Sequence, residues 1–324
     1  MIMTGSETTN TLPLRKGRIG GLDTLRGLAL LAMAHYHFTW DLELFGYLDP
    51  GTATSGWLRI YARAIASTFL FLAGFSLFLA HAKGIQWQSF GKRLGMICLA
   101  AVAISIGTGI AIPEAPIYFG ILHNIAASSL VGLLFIRANV FVTFIAAIAA
   151  LVAPHFLTSE MFSSPFLYWL GLMPVPPRSN DYVPLLPWVG AFLLGMSAAK
   201  IALPRGWLDP FRSPSHKKNI VATAGRHSLM FYLLHQPILI GCVYLASQLF
   251  PPAPVDPVEN YKATCESSCI STNNDAALCG RFCGCTLELL QSRSLFDPMI
   301  ARNLTSDQQN EIGEVAQECR MIAN

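Results

Sequence analysis

The chain has 324 residues, 53% of them hydrophobic and only 13% charged, with a net charge of +3. A soluble domain carries about 25% charged residues and could not clothe its surface with so few. The composition therefore excludes a water-soluble globule and predicts an all-α, polytopic membrane helix bundle, with the lipid bilayer as first partner and nucleic acid not expected.

Residues 1–17 are polar and lack the apolar h-region of a signal peptide, so a cytoplasmic N-terminal segment without a cleaved leader is expected. Apolar blocks of about twenty residues, enough to cross a 30 Å hydrocarbon core as helix, then predict about seven spans. They fall near 24–43, 60–80, 93–112, 117–136, 140–157, 184–202 and 227–249. The first breaks its apolar pattern with His35, His37, Asp41 and Glu43. His37 lies eleven residues beyond Arg26, about 16 Å along a helix. Asp41 at i+4 shares its face and is expected to accept the imidazole N–H. His35, two residues away, points about 200° around the helix and cannot share that pocket.

The fourth span places His123 and Asn124 about 10 Å below its outer end. The sixth begins with Pro184, Pro187 and Trp188 at the interface. The seventh puts His235 and Gln236 near mid-depth, just before Pro237. An intramembrane histidine can be no more than an interhelical hydrogen bond. Three of them on separate spans, one beside an aspartate, are costly unless they face one another or a wet cavity. His37, Asp41, His123 and His235 are therefore the candidate catalytic residues, with His35, Asn124, Gln236 and Trp188 as further polar lining. His81, His216 and His227 are read as solvated or interfacial at cytoplasmic span ends or loops, and His155 as an outer interface residue.

Loop charges orient the bundle. Arg15, Lys16, Arg18, Lys83, Lys92, Arg93, Arg137, Lys200, Arg205, Arg212, Lys217, Lys218 and Arg226 lie on one side, and the opposite loops carry one basic residue, Arg178, with Arg59 and Arg63 at or within the start of the second span. The positive-inside rule then places the N-terminus in the cytoplasm and, across seven spans, the tail outside a plasma (inner) membrane. Arg18, Arg26, Lys92 and Arg93 sit at the cytoplasmic mouth. They either hold topology against lipid phosphates or capture an anionic donor.

The tail, residues 251–324, opens with a stiff Pro251, Pro252, Pro254, Pro257 stem. It gathers Cys265, Cys269, Cys279, Cys283, Cys285 and Cys319. Two C-x3-C pairs, each one helical turn apart, suit two short antiparallel helices stapled by two disulfides in an oxidising compartment, with connectivity open. Without a histidine in the tail, a metal is not expected. Ser306 with Gln309 is a capping-box pattern for a final helix. The expected domains are residues 1–17, a membrane domain over 18–250, and this tail.

Four blocks in order, GRIGGLDTLRGLALLAM, YFGILHNIAASSL, DYVPLLPWVGAFLLG and GRHSLMFYLLHQPIL, resemble the bacterial group related to the heparan-alpha-glucosaminide N-acetyltransferase catalytic domain, over about residues 18 to 245. The resemblance implies an acyl-CoA donor, most simply acetyl-CoA, arriving from the cytoplasm near Arg26. It implies an extracytoplasmic acceptor such as a cell-envelope glycan. In the wider superfamily of transmembrane acyltransferases the histidine after the Arg-Gly helix start is essential, and here that position is His37. The lysosomal relative carries asparagine near this position and a histidine further on, whereas this chain has no histidine between 38 and 80. General-base and acyl-histidine mechanisms both stay open, with Asn124, Gln236 or His123 as oxyanion donors. A proton-coupled permease and a scaffold acting through the tail are the alternatives, and homo-oligomerisation stays open.

Overall fold

The structure, a computed structural model, describes residues 19–211, 220–254, 256–273, 275–301 and 303–323. It is all-helical. Among the described residues eight helices build the bundle: α1 (Gly20–Leu44), α2 (Gly56–His81), α3 (Trp87–Ala111), α4 (Ile121–Phe135), α5 (Val140–Leu157), α6 (Leu185–Ala202), α7 (Ile220–Arg226) and α8 (Ser228–Leu249). Seven of them match the expected spans. Of these, α2, α3, α5, α6 and α8 are each long and apolar enough to cross a bilayer. Apolar side chains left bare on their outer faces, such as Leu99, Ile110, Phe141, Ile145 and Leu245, form a surface suited to lipid. The chain is a multi-pass membrane protein.

One span and one short helix differ from the sequence expectation. The fourth span is helical only from Ile121, fifteen residues or about 22 Å. The residues before it run extended, with Phe119 bridging Tyr182 and Val183 N donating to Phe119 O at 2.9 Å. Pro113 and Pro116 account for this, because a residue before proline is driven out of the helical region. The second difference is α7, which the sequence placed within an inner loop. It packs on α1 through Gly27 and Gly225; a Cβ on Gly27 would stand 2.0 Å from the Val221 carbonyl oxygen, and one on Gly225 1.8 Å from that of Asp23.

α6 is the hub, packed against α2, α4 and α5. Its Phe192, Leu193, Met196 and Ala199 are sealed in the core. Gly195 meets the backbone of Phe71, and Gly74 on α2 meets that of Phe192, the small-residue contact that lets membrane helices approach closely. At the end of α6, Lys200 Nζ donates to Phe135 O at 2.6 Å, Ala138 O at 2.5 Å and Thr143 Oγ1 at 2.9 Å. This lysine, expected to lie in a loop, closes the α4–α5 turn by satisfying helix-end carbonyls.

The tail forms α9 (Pro257–Asn273), α10 (Ala276–Ser292), α11 (Phe296–Ile300) and α12 (Ser306–Ala323). Cys265–Cys283 and Cys269–Cys279 staple α9 to α10 in nested order, as two antiparallel helices require, and Cys285–Cys319 ties α10 to α12. Leu290, Leu295, Phe296 and Val315 make its small core. The cap of α12 lies one residue before the expected one. Thr305 N donates to Gln308 Oε1 at 3.0 Å, and Gln308 N to Thr305 Oγ1 at 3.3 Å.

The α1–α2 loop joins tail to bundle. Glu43 fixes it by accepting from Gly51 N at 2.6 Å and Ala53 N at 2.7 Å. Gly51, at φ +85°, lies so near Ser267 of α9 that a Cβ would fall 1.7 Å from its hydroxyl oxygen. Tyr47 Oη donates to Phe250 O at 2.5 Å. Glu43, one of the four polar residues that interrupt the first span, is thus a loop anchor.

Candidate active site

α1 and α8 pack side by side, which brings His37 and Asp41 onto His235 and Gln236. The rings of His37 and His235 lie 5.0 Å apart, tilted by 62°. Asp41, sealed from solvent, accepts from Gln236 Nε2 at 2.7 Å. The expected His37–Asp41 hydrogen bond is replaced by this one, since an amide arriving from α8 reaches the carboxylate first. His35 points away, edge-on to Tyr61 at 5.8 Å, on the opposite face as expected.

Hydrogen bonding assigns the tautomer of the neutral His235 ring. His235 Nδ1 stands 2.7 Å from the Tyr232 carbonyl oxygen. A carbonyl only accepts, so Nδ1 carries the hydrogen and Nε2 presents a bare lone pair. Gln236 gives an N–H to Asp41, so its Oε1 is free to accept. Asp41 Oδ2, His235 Nε2 and Gln236 Oε1 are all buried and, among the described residues, all without a partner. Three unsatisfied acceptors drawn from two helices are costly to maintain. Proline at 237 brings no N–H to the same stretch of α8 and takes one rung from its ladder.

His123 and Asn124 do not join this group. Asn124, fully buried, gives its amide hydrogens to Val183 O at 3.1 Å and Pro184 O at 2.7 Å and accepts from Ser128 Oγ at 2.7 Å. It has no donor left for an oxyanion and serves as a bolt for the strap before α6. His123 Nδ1 accepts from Gly120 N at 3.2 Å, so Nε2 carries the hydrogen, 3.3 Å from Ser105 Oγ. Trp188 packs against the α6 core.

Two residues that the spacing did not single out stand between these groups. Asp181, in the loop before α6, accepts from Ile121 N at 2.9 Å and shares the wall of one narrow crevice with Tyr232. Burial lifts its carboxyl to about 6, although the Ile121 hydrogen bond pulls the other way. Tyr232 stands one turn before His235, so the helical spacing could have flagged it. Asp181 lay in a quoted block, but only the fold brings it to α8. With His123 they line a crevice that has no room for water. A larger groove of about 540 Å³, between α5 and α6 beside Lys200 and Arg205, lies apart from the histidines.

At the other end of α1, Arg26 Nη1 pairs with buried Asp23 at 3.0 Å, and its Nη2 donates to Ser76 Oγ of α2. Arg93 of α3 lies within electrostatic reach of both Arg26 and His81. Lys92 is exposed. Arg18 and His216 fall outside the described residues. His81 is a correction: it is buried, accepting from Gln86 N at 3.1 Å through Nδ1 and packing edge-on against Phe90. His155 and His227 are exposed. Among the described residues no group of three histidine, cysteine or acidic side chains could hold a metal ion.

The family model for the heparan-alpha-glucosaminide N-acetyltransferase catalytic domain matches residues 18–237, a stretch that contains every group just described from Asp23 to Gln236. No curated protein and no solved structure matches the chain.

Proposed function

We propose, because the chain belongs to the heparan-alpha-glucosaminide N-acetyltransferase catalytic family, that it is an integral-membrane acyltransferase. It moves an acetyl group from acetyl-CoA, the donor this family uses, to a hydroxyl or amine. The observation that carries this reading is the set of three buried, unpartnered acceptors beside His37. These three atoms are acceptors in want of a donor, and a nucleophile carrying O–H or N–H groups would supply it. A sugar offers several such groups on one ring, which favours a glycan of the cell envelope as the acceptor.

The acceptor's proton moves to His235 Nε2 as its oxygen or nitrogen attacks the thioester carbonyl. His37, beside it, donates an N–H to the oxyanion. The C–S bond then breaks, and the proton on His235 passes to the leaving thiolate, restoring the base. Arg26 and Arg93 supply positive charge where the phosphates of CoA would sit. Loop charge and the tail cystines both support donor capture on the cytoplasmic side and transfer on the other.

In detergent, the full-length protein is expected to transfer acetyl from acetyl-CoA to glucosamine or to water. His235→Ala should lower that rate by about 10² to 10⁴, and His37→Ala should act likewise, with thermal unfolding retained. A wild-type protein that leaves acetyl-CoA intact, or a His235→Ala variant as active as wild type, would overturn the reading.

A further inference from the structure

The Tyr232–Asp181 contact lies outside the reaction just described, yet it leads straight to the base. Tyr232 contributes to α8 twice. Its main-chain carbonyl takes the His235 Nδ1 hydrogen at 2.7 Å, and its side chain faces Asp181 across a crevice that both of them line. Asp181 is itself held by the first N–H of α4, at 2.9 Å. The strap behind it is bolted by Asn124 to the carbonyls of Val183 and Pro184 and by Val183 N to Phe119 O. Gly120 makes room for the carboxylate, since a Cβ there would stand 2.3 Å from Asp181 Oδ2. Tyr36 of α1 also feels the Asp181 charge. The opposite side of the His235 turn is weakened, because Pro237 has no N–H to give.

We propose that Asp181 and Tyr232 form a clamp that positions His235, so that a loop outside the membrane sets the tautomer and aim of a base within it. In catalysis this rests on the acyltransferase reading. Asp181 and Tyr232 are positioning residues, acting through the α8 turn. Without the clamp the turn relaxes, the Tyr232 carbonyl drifts from Nδ1, and Nε2 loses its fixed direction. Misplacement of this kind lowers turnover while leaving donor binding intact.

Tyr232→Phe removes one hydroxyl and keeps the ring, and Asp181→Asn keeps the shape and removes the charge. Each is expected to lower kcat for acetyl-CoA about tenfold or more, with KM for acetyl-CoA changed less than about twofold. The double variant should be no slower than the slower single one, as residues acting as a unit are non-additive. A second measurement needs no turnover. Diethyl pyrocarbonate modifies neutral imidazole nitrogens, and peptide mass spectrometry reads each histidine separately. In both variants the carbethoxylation rate of His235 should change by at least about threefold, while exposed His35 reacts as before. An unchanged His235 rate in both variants overturns the clamp. So do kcat losses that multiply in the double variant. If wild type shows no thioester turnover, the proposed reaction falls, and His235 reactivity alone decides the clamp.

Discussion

A glutamine that lends one N–H to a carboxylate and leaves its own oxygen bare in a helix interface is held there against its own hydration. Gln236 does this beside Asp41, and the same tension marks His235 Nε2. Asp181 shows it in a form that pH can test. Its carboxyl sits at about 6 in the fold against 3.8 when free, chiefly through burial. The fold thus favours the protonated form, so the stability it contributes is complete below about pH 4 and is lost as pH rises through about 6. Tyr36, His123 and Tyr232 face it from α1, α4 and α8, so the comparison must be with Asp181→Asn. Thermal unfolding in detergent from pH 4 to 8 should show wild type falling relative to that variant; parallel curves would contradict the assignment. Helical spacing made some of this site legible: it placed His37 and Asp41 on one face and His35 on the other. It could not give Asp41 its partner, because Gln236 is 195 residues away and only the packing of α1 on α8 joins them.

At the scale of helices, the bundle is held by close backbone approaches that an apolar count does not reveal. The spans themselves were readable from block length, and their order with them. The crossing of α2 and α6 was not, since nothing in the chain says that Gly74 and Gly195 face carbonyls while Gly109 faces open space. Gly195→Ala would drive a methyl to 2.0 Å from the Phe71 carbonyl oxygen. It should destabilise the bundle by about 1–3 kcal/mol, read as a lower midpoint in denaturant or heat. Gly109→Ala, with nothing within 4 Å, should be neutral or mildly stabilising, and equal effects at the two positions would refute the crossing. The shortened α4 has a similar lesson. Hydropathy extended it to residue 117, but prolines and the pairing of Phe119 with the strap override an apolar run.

For the whole molecule, three cystines and the loop charges favour one orientation, with the tail in an oxidising compartment. Intact cells treated with a membrane-impermeant maleimide should label the tail only after an impermeant reductant, at up to six sites per chain. Labelling without reductant, or none after it, would reverse that placement. The paired C-x3-C spacing suggested two stapled antiparallel helices but left the connectivity open, and the nested order comes from the fold. The seat of the tail on the Glu43-held loop was not legible either, because it depends on Gly51 and Ser267 meeting across two separate parts of the chain. One more property belongs to the molecule as a whole. α1 runs unbroken from Arg26 to His37, a rigid ruler about 16 Å long at the helical rise. On the proposed reading, with acetyl-CoA as donor, that rod would measure molecules by the gap between their charge and their reactive carbon. A thioester clipped too short to reach from one mark to the other would find either the guanidinium or the imidazole, and never both.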